Sequence, residues 1–191
     1  MRLFIAITLT PEVHAELDAF MKELRMAARE SIRWVAATNI HLTLKFLGEA
    51  DTVKLKPLAE SVAREAAALV YFEFSVRGTG VFPGWRSPRI LWAGIEAAED
   101  LNMLQSRVDF ATRELGFPSE SRPFSPHLTL GRVNGWMNPD QLELLQHKML
   151  EAKDKYFGTV AARQVTIFQS ILKPSGAVYT SVATCNLGSP Q

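Results

Sequence analysis

The chain has 191 residues, 47% hydrophobic and 21% charged, which is enough for one apolar core or two small lobes packed together. Its formal net charge of +1 excludes the strongly basic surface of a general duplex-binding protein. A single cysteine, Cys185, excludes a disulfide framework and a cysteine-rich zinc site. With no run as long as a membrane span and no signal-peptide pattern, we expect a cytoplasmic protein.

Hydrophobic periodicity predicts short strands that alternate with amphipathic helices. Thr10-Pro11 is typical of a helix start, as is Asn138-Pro139, and Pro174-Ser175-Gly176 is typical of a turn. The predicted strands are residues 3–9, 32–35, 40–47, 72–76, 90–95, 127–133, 160–172 and 178–187, and the predicted helices are residues 11–28, 55–69, 101–115 and 139–150.

The order of elements repeats, and each copy contains the tetrapeptide His-Leu-Thr-Leu on a predicted strand. The distance from the strand at Leu3 to His41 is similar to that from the strand at Leu91 to His127. The repeat predicts an α+β fold of two pseudo-symmetric lobes, with antiparallel-rich sheets flanking a central cleft and helices outside. We treat residues 1–191 as a single domain, with repeat halves of approximately 1–88 and 89–191.

The two tetrapeptides place their polar side chains on one face of each strand. Side chains alternate along a strand, so His41 points the same way as Thr43, and His127 the same way as Thr129, while the leucines point into the core. Two opposed imidazoles suit phosphodiester cleavage, because one can take a proton from the attacking water while the other protonates the leaving alkoxide. The threonine hydroxyls can donate to phosphate oxygens, and no metal or other cofactor is needed.

Residues just after the tetrapeptides are further candidates for the site. Arg132 could donate to the phosphate, with a surface ion pair as the alternative. It lies an odd number of residues from His127, so alternation points it away from the cleft unless the strand twists or ends there. Alternation places Lys45 beside His41, where it could contact substrate or be a solvated charge at the rim. Phe46 is expected in the core, with stacking on a terminal base as the alternative.

The sequence resembles the two-histidine (2H) phosphoesterases, and most closely the LigT-like RNA 2′,3′-cyclic phosphodiesterases, formerly 2′-5′ RNA ligases. The resemblance covers nearly the whole chain. It rests on residues 1–7, 33–35, 39–48, 80–83, 88–92 and 122–132. The family often has a basic residue where Ser125 stands, so contact with a polynucleotide is expected to be weaker here.

This resemblance implies hydrolysis of an RNA 2′,3′-cyclic phosphate to a 2′-phosphomonoester, with His41 as proton donor and His127 as acceptor. It implies that Thr43 and Thr129 hold the phosphate. The nearly identical motifs do not by themselves distinguish the two histidine roles. The alternatives are a non-catalytic module that binds a nucleotide or RNA end, and a phosphodiesterase for another cyclic or 2′-5′-linked nucleotide. We expect a monomer whose partner is RNA or a related nucleotide, with no membrane contact.

Overall fold

The computed structural model describes residues 1–96, 99–173 and 176–190, which form nine strands and four α-helices within those ranges. The strands are β1 (Arg2–Thr8), β2 (Ile32–Trp34), β3 (His41–Glu49), β4 (Phe72–Phe82), β5 (Ile90–Glu96), β6 (His127–Val133), β7 (Tyr156–Ala162), β8 (Gln164–Lys173) and β9 (Gly176–Asn186). The helices are α1 (Pro11–Ala28), α2 (Leu55–Ala67), α3 (Glu99–Arg113) and α4 (Pro139–Glu151).

The helices begin where the sequence supplies caps. The Thr10 hydroxyl accepts a hydrogen bond from the backbone N–H of Val13 at 3.4 Å, with Pro11 in the first turn of α1. At α4, Asn138 and Gln141 exchange side-chain and backbone hydrogen bonds in a capping box. Each of these contacts satisfies a backbone donor that the first helical turn leaves unpaired.

The strands form two antiparallel sheets. The first sheet has the order β3-β1-β8-β9, and the second has the order β2-β6-β5-β4-β7. Helices α2 and α3 pack on the outer face of the first sheet, and α1 and α4 pack on that of the second. Strands β3 and β6 contact each other across the gap between the sheets. The predicted α+β fold, with antiparallel sheets around a cleft and helices outside, is confirmed.

Both sheets draw strands from both halves of the chain. The first sheet combines β1 and β3 with β8 and β9, while β2 and β4 join the second sheet. The helices follow the same exchange, because α1 packs against β7 and α3 packs against β3. The halves at approximately 1–88 and 89–191 are therefore repeats in the sequence, but neither coincides with one sheet and its helices.

Most predicted elements lie within a few residues of those observed, with two differences. The apolar stretch 160–172 was predicted as one strand, which is wrong: it divides near Arg163 into β7 and β8, and these belong to different sheets. The strand predicted at residues 72–76 is longer in the structure and continues to Phe82. In the predicted turn before β9, Pro174 and Ser175 lie outside the described residues.

Candidate active site

Strands β3 and β6 carry the two tetrapeptides and orient them as alternation predicts. The leucines of both copies are buried, while the histidines and threonines are half-buried on the opposite face. Since the helices cover the outer faces and β3 contacts β6, the polar faces border the space between the sheets. The four leucines are Leu42, Leu44, Leu128 and Leu130.

A β-bulge follows each His-x-Thr, at the same position of both copies. In the first sheet, Ala6 pairs with Thr43 while Ile5 pairs with Lys45, so Leu44 has no partner of its own. In the second sheet, Trp92 pairs with Thr129 while Leu91 pairs with Gly131, so Leu130 is the extra residue. A bulged residue inverts the alternation of side chains beyond it. The inversion decides where the residues after each motif point.

The bulge overturns the expected place of Lys45, which was predicted on the His41 face or as a solvated charge at the rim. Its side chain is only 1% exposed and lies on the core side, so a role for Lys45 in contacting substrate is wrong. The ammonium pairs with Asp109 of α3 at 2.7 Å and donates to the carbonyl of Phe117 at 3.4 Å. A buried charge needs such partners to offset the loss of hydration, so Lys45 ties β3 to α3.

The same bulge turns the following residue towards the cleft. Phe46, expected in the core, is 56% exposed, and its ring lies 6.2 Å from that of Phe4. Arg132 occupies the matching place on β6: it is exposed and pairs with Ile90, beyond the bulge. Strict alternation predicts that Arg132 points away from His127. Because the bulge inverts the alternation, Arg132 lies on the same face as His127 and Thr129.

Each catalytic candidate is oriented by the backbone carbonyl two residues before it. His41 Nδ1 lies 2.8 Å from the Asn39 oxygen, and His127 Nδ1 lies 2.8 Å from the Ser125 oxygen. A carbonyl only accepts, so Nδ1 carries the hydrogen in both rings. The other nitrogen, Nε2, is therefore the one left to exchange a proton in each copy.

Aromatic rings hold both imidazoles, and they do so unequally. His41 stacks on Phe4 with ring centroids 4.7 Å apart and meets Tyr179 edge-on at 5.2 Å. His127 meets Phe82 edge-on at 5.1 Å. The first histidine thus lies in the more apolar surroundings.

Those surroundings change the acidity of His41. Burial lowers the pKa of His41 from 6.5 to about 4, the hydrogen bond to Asn39 opposes the shift, and the charge of nearby His14 adds to it. The imidazole of His41 is accordingly neutral at neutral pH. His14 Nε2, on α1, donates to the Ile40 carbonyl at 3.0 Å, next to His41 in the chain.

Sequence reasoning missed three contributors to this site. His14 lies within the predicted helix 11–28, where nothing in the sequence pattern connects it with the site, and the structure places it half-buried beside Ile40. Tyr179 and Phe4 come from strands far from His41 in the chain, and no local pattern identifies them. The sequence offers one signal for these two residues: both are aromatic and lie on predicted strands, where alternation assigns each side chain to a face.

Two further results concern ligands and membranes. Within residues 1–96, 99–173 and 176–190, no three His, Cys, Asp or Glu side chains are grouped so that they could hold a metal ion. Among the helices described, none is long and apolar enough to cross a membrane.

Comparison with known proteins agrees with this geometry. The family model described as LigT like phosphoesterase matches residues 7–92 and 95–179, and each stretch contains one His-x-Thr. The chain therefore belongs to the LigT-like phosphoesterases, as its motifs indicated.

Named relatives extend the comparison over nearly the whole chain. An RNA 2′,3′-cyclic phosphodiesterase of Thermotoga maritima is 35% identical over 97% of this chain and 95% of its own length. The enzyme of that name from Methanothermobacter thermautotrophicus is 33% identical, covering 98% of this chain and 99% of its own.

Solved structures show the same fold. A crystal structure of a Thermus thermophilus protein superposes with a TM-score of 0.84, at 29% identity and full coverage of both chains. The crystal structure of E. coli LigT complexed with 3′-AMP superposes with a TM-score of 0.75, at 26% identity and 97% coverage of each chain.

Proposed function

We propose that this protein hydrolyses 2′,3′-cyclic phosphates at RNA ends to 2′-phosphomonoesters, without a metal ion, and that His41 and His127 are its acid–base pair. The observation that carries the proposal is the duplicated site. Two His-x-Thr faces border one cleft, and both histidines are fixed through Nδ1 so that Nε2 is available. The relatives named RNA 2′,3′-cyclic phosphodiesterase supply the substrate class.

The reaction needs one proton removed and one delivered. Water attacks phosphorus as the bond from phosphorus to O3′ breaks, which leaves the phosphate on O2′. His127 Nε2 takes the proton of the attacking water, and His41 Nε2–H gives a proton to O3′. Hydroxyls of Thr43 and Thr129 donate to the non-bridging oxygens, where negative charge accumulates.

The low pKa of His41 bears on its role as donor. With a pKa of about 4, His41 carries no proton to give in the free protein at neutral pH. A phosphate anion beside the ring favours the imidazolium and raises its pKa, so substrate binding would shift the donor towards its protonated form. The reversed assignment, with neutral His41 as the base, uses the same geometry and is decided by experiment.

The primary test is turnover of a short RNA ending in a 2′,3′-cyclic phosphate, in EDTA, with the product resolved as 2′- or 3′-phosphate. We expect a 2′-phosphate from wild type and nearly complete loss in His41→Ala and His127→Ala. His147→Ala is the matched control, because His147 is an exposed histidine paired with Glu151. If each single substitution left the activity intact, the assignment of His41 and His127 as the acid–base pair would be refuted. Stoichiometric binding without product would favour the binding-module alternative.

A substrate with sulfur in place of the bridging O3′ separates the two roles. A thiolate leaves without prior protonation, so loss of the general acid costs little while loss of the base still matters. We expect His41→Ala to recover much of its activity on this substrate and His127→Ala to stay inactive. The opposite recovery would assign the donor role to His127.

A further inference from the structure

Two arginines from neighbouring strands lie side by side on the cleft face of the second sheet. Arg33 of β2 pairs directly with Arg132 of β6, so both side chains point to the same face. The opposite face is occupied by Ile32 and Trp34, which approach the position where a Cβ on Gly131 would stand. Arg33, Arg132 and Thr129 therefore lie on the same face of the second sheet.

Among the described residues, neither arginine of this pair is neutralised by a salt bridge. Like charges directly opposite each other on a sheet are destabilising. Both side chains are exposed. Two guanidinium groups present a planar array of donors that matches phosphate oxygens, and a bound anion would relieve their repulsion.

The arginines flank the cleft instead of facing away from it. Arg2 of β1 lies in one cross-strand row with Ser170 and Tyr179 of the first sheet. Burial raises the pKa of Tyr179, and the positive charges of Arg132 and Arg2 oppose that rise. The charge of Arg132 on the second sheet thus reaches the ring that packs against His41 on the first.

We propose that Arg33, together with Arg132, binds the backbone phosphodiester of the terminal nucleotide, next to the reacting cyclic phosphate. The inference rests on the proposed function and names its substrate class: ends of RNA chains in preference to mononucleoside 2′,3′-cyclic phosphates. Along β6 the next residue on the cleft face after Thr129 is Arg132, so the cationic pair continues directly from the phosphate-holding hydroxyl. A mononucleoside cyclic phosphate has no second anion and leaves Arg33 unused.

The test measures binding, so that it does not depend on turnover. Affinities for an RNA trinucleotide ending in a 2′-phosphate and for adenosine 2′-monophosphate are compared by calorimetry over a range of salt concentrations. The proteins are wild type, Arg33→Gln, Arg33→Lys and the control Arg113→Gln, an exposed arginine of α3.

Arg33→Gln should weaken trinucleotide binding by about tenfold and lower the ratio of the two affinities accordingly. The slope of the logarithm of the trinucleotide binding constant against the logarithm of the salt concentration should become less steep by about 0.7. This is the value for one lost phosphate contact on a single strand. Arg33→Lys keeps the charge and should recover part of the ratio, while Arg113→Gln should leave the ratio unchanged.

An unchanged ratio in Arg33→Gln would overturn the proposal. An equal loss for both ligands would also overturn it, because Arg33 would then act on the reacting phosphate or on the fold. The cyclic-phosphate form of the same trinucleotide is tested separately for turnover. If the wild-type protein does not hydrolyse this cyclic-phosphate trinucleotide, the proposed function is wrong. The ratio of the two affinities would still show whether Arg33 binds the RNA chain.

Discussion

The low pKa of His41 leads to a quantitative prediction about how the stability of the protein depends on pH. The pKa of this imidazole is 6.5 without burial and about 4 in the folded protein. Between those values the unfolded chain binds the proton and the folded protein does not, so folding is favoured as the pH rises. The contribution of His41 is complete above 6.5 and is lost progressively as the pH falls towards 4. Its full size is ~3 kcal/mol, since each pKa unit is worth about 1.4 kcal/mol.

Urea unfolding at about pH 7.5 and about pH 5 measures this contribution, and the linkage relation gives a loss of ~2 kcal/mol from His41 between them. His41→Phe retains a ring to stack on Phe4 but cannot bind a proton, so its stability should fall by ~2 kcal/mol less than that of wild type. His147→Phe, which removes an exposed histidine, should show the wild-type pH dependence. Equal losses in wild type and His41→Phe would refute the claim that burial keeps His41 neutral.

Two further predictions concern the bulges. Asp109→Ala should lower the free energy of unfolding in urea by ~3 kcal/mol or more, because it leaves the buried Lys45 ammonium unpaired. Lys45→Met removes the buried charge itself and should lower that free energy clearly less. Equal losses of stability in the two variants would contradict the buried ion pair. Gly131→Ala should cost ~2 kcal/mol, since its Cβ would stand 2.6 Å from Ile32 Cγ2 and 3.2 Å from Trp34 Cε3, and Gly135→Ala, with open space around it, is the control.

The sequence was sufficient for the parts of the fold that depend on local pattern. The leucines of both tetrapeptides are buried and the histidines and threonines face the cleft, because two-residue alternation holds from residue 41 to 43 and from 127 to 129. Paired motifs at matching points of a repeat also indicated two lobes around a cleft. The family was recognisable because its motifs are spread over nearly the whole chain, and the family model matches residues 7–92 and 95–179.

Alternation failed immediately after each motif, where a bulge inserts one residue. A bulged leucine looks like any other apolar strand residue, so Lys45 was placed on the wrong face and Arg132 was turned from the cleft. Gly131 was a usable signal, because a glycine within a strand often marks a bulge or a close approach. Contacts of His41 with Tyr179 depend on how distant strands pair, which no local pattern determines.

The exchange of strands between the sheets has a consequence for how the chain can fold. A half-length chain ending near residue 88 would contain β1 and β3 without β8 and β9, and β4 without β5. Such a chain would leave sheet edges and helix faces uncovered. Neither half of the chain can therefore complete a sheet by itself, and the two His-x-Thr faces are brought together only when strands of both halves have paired.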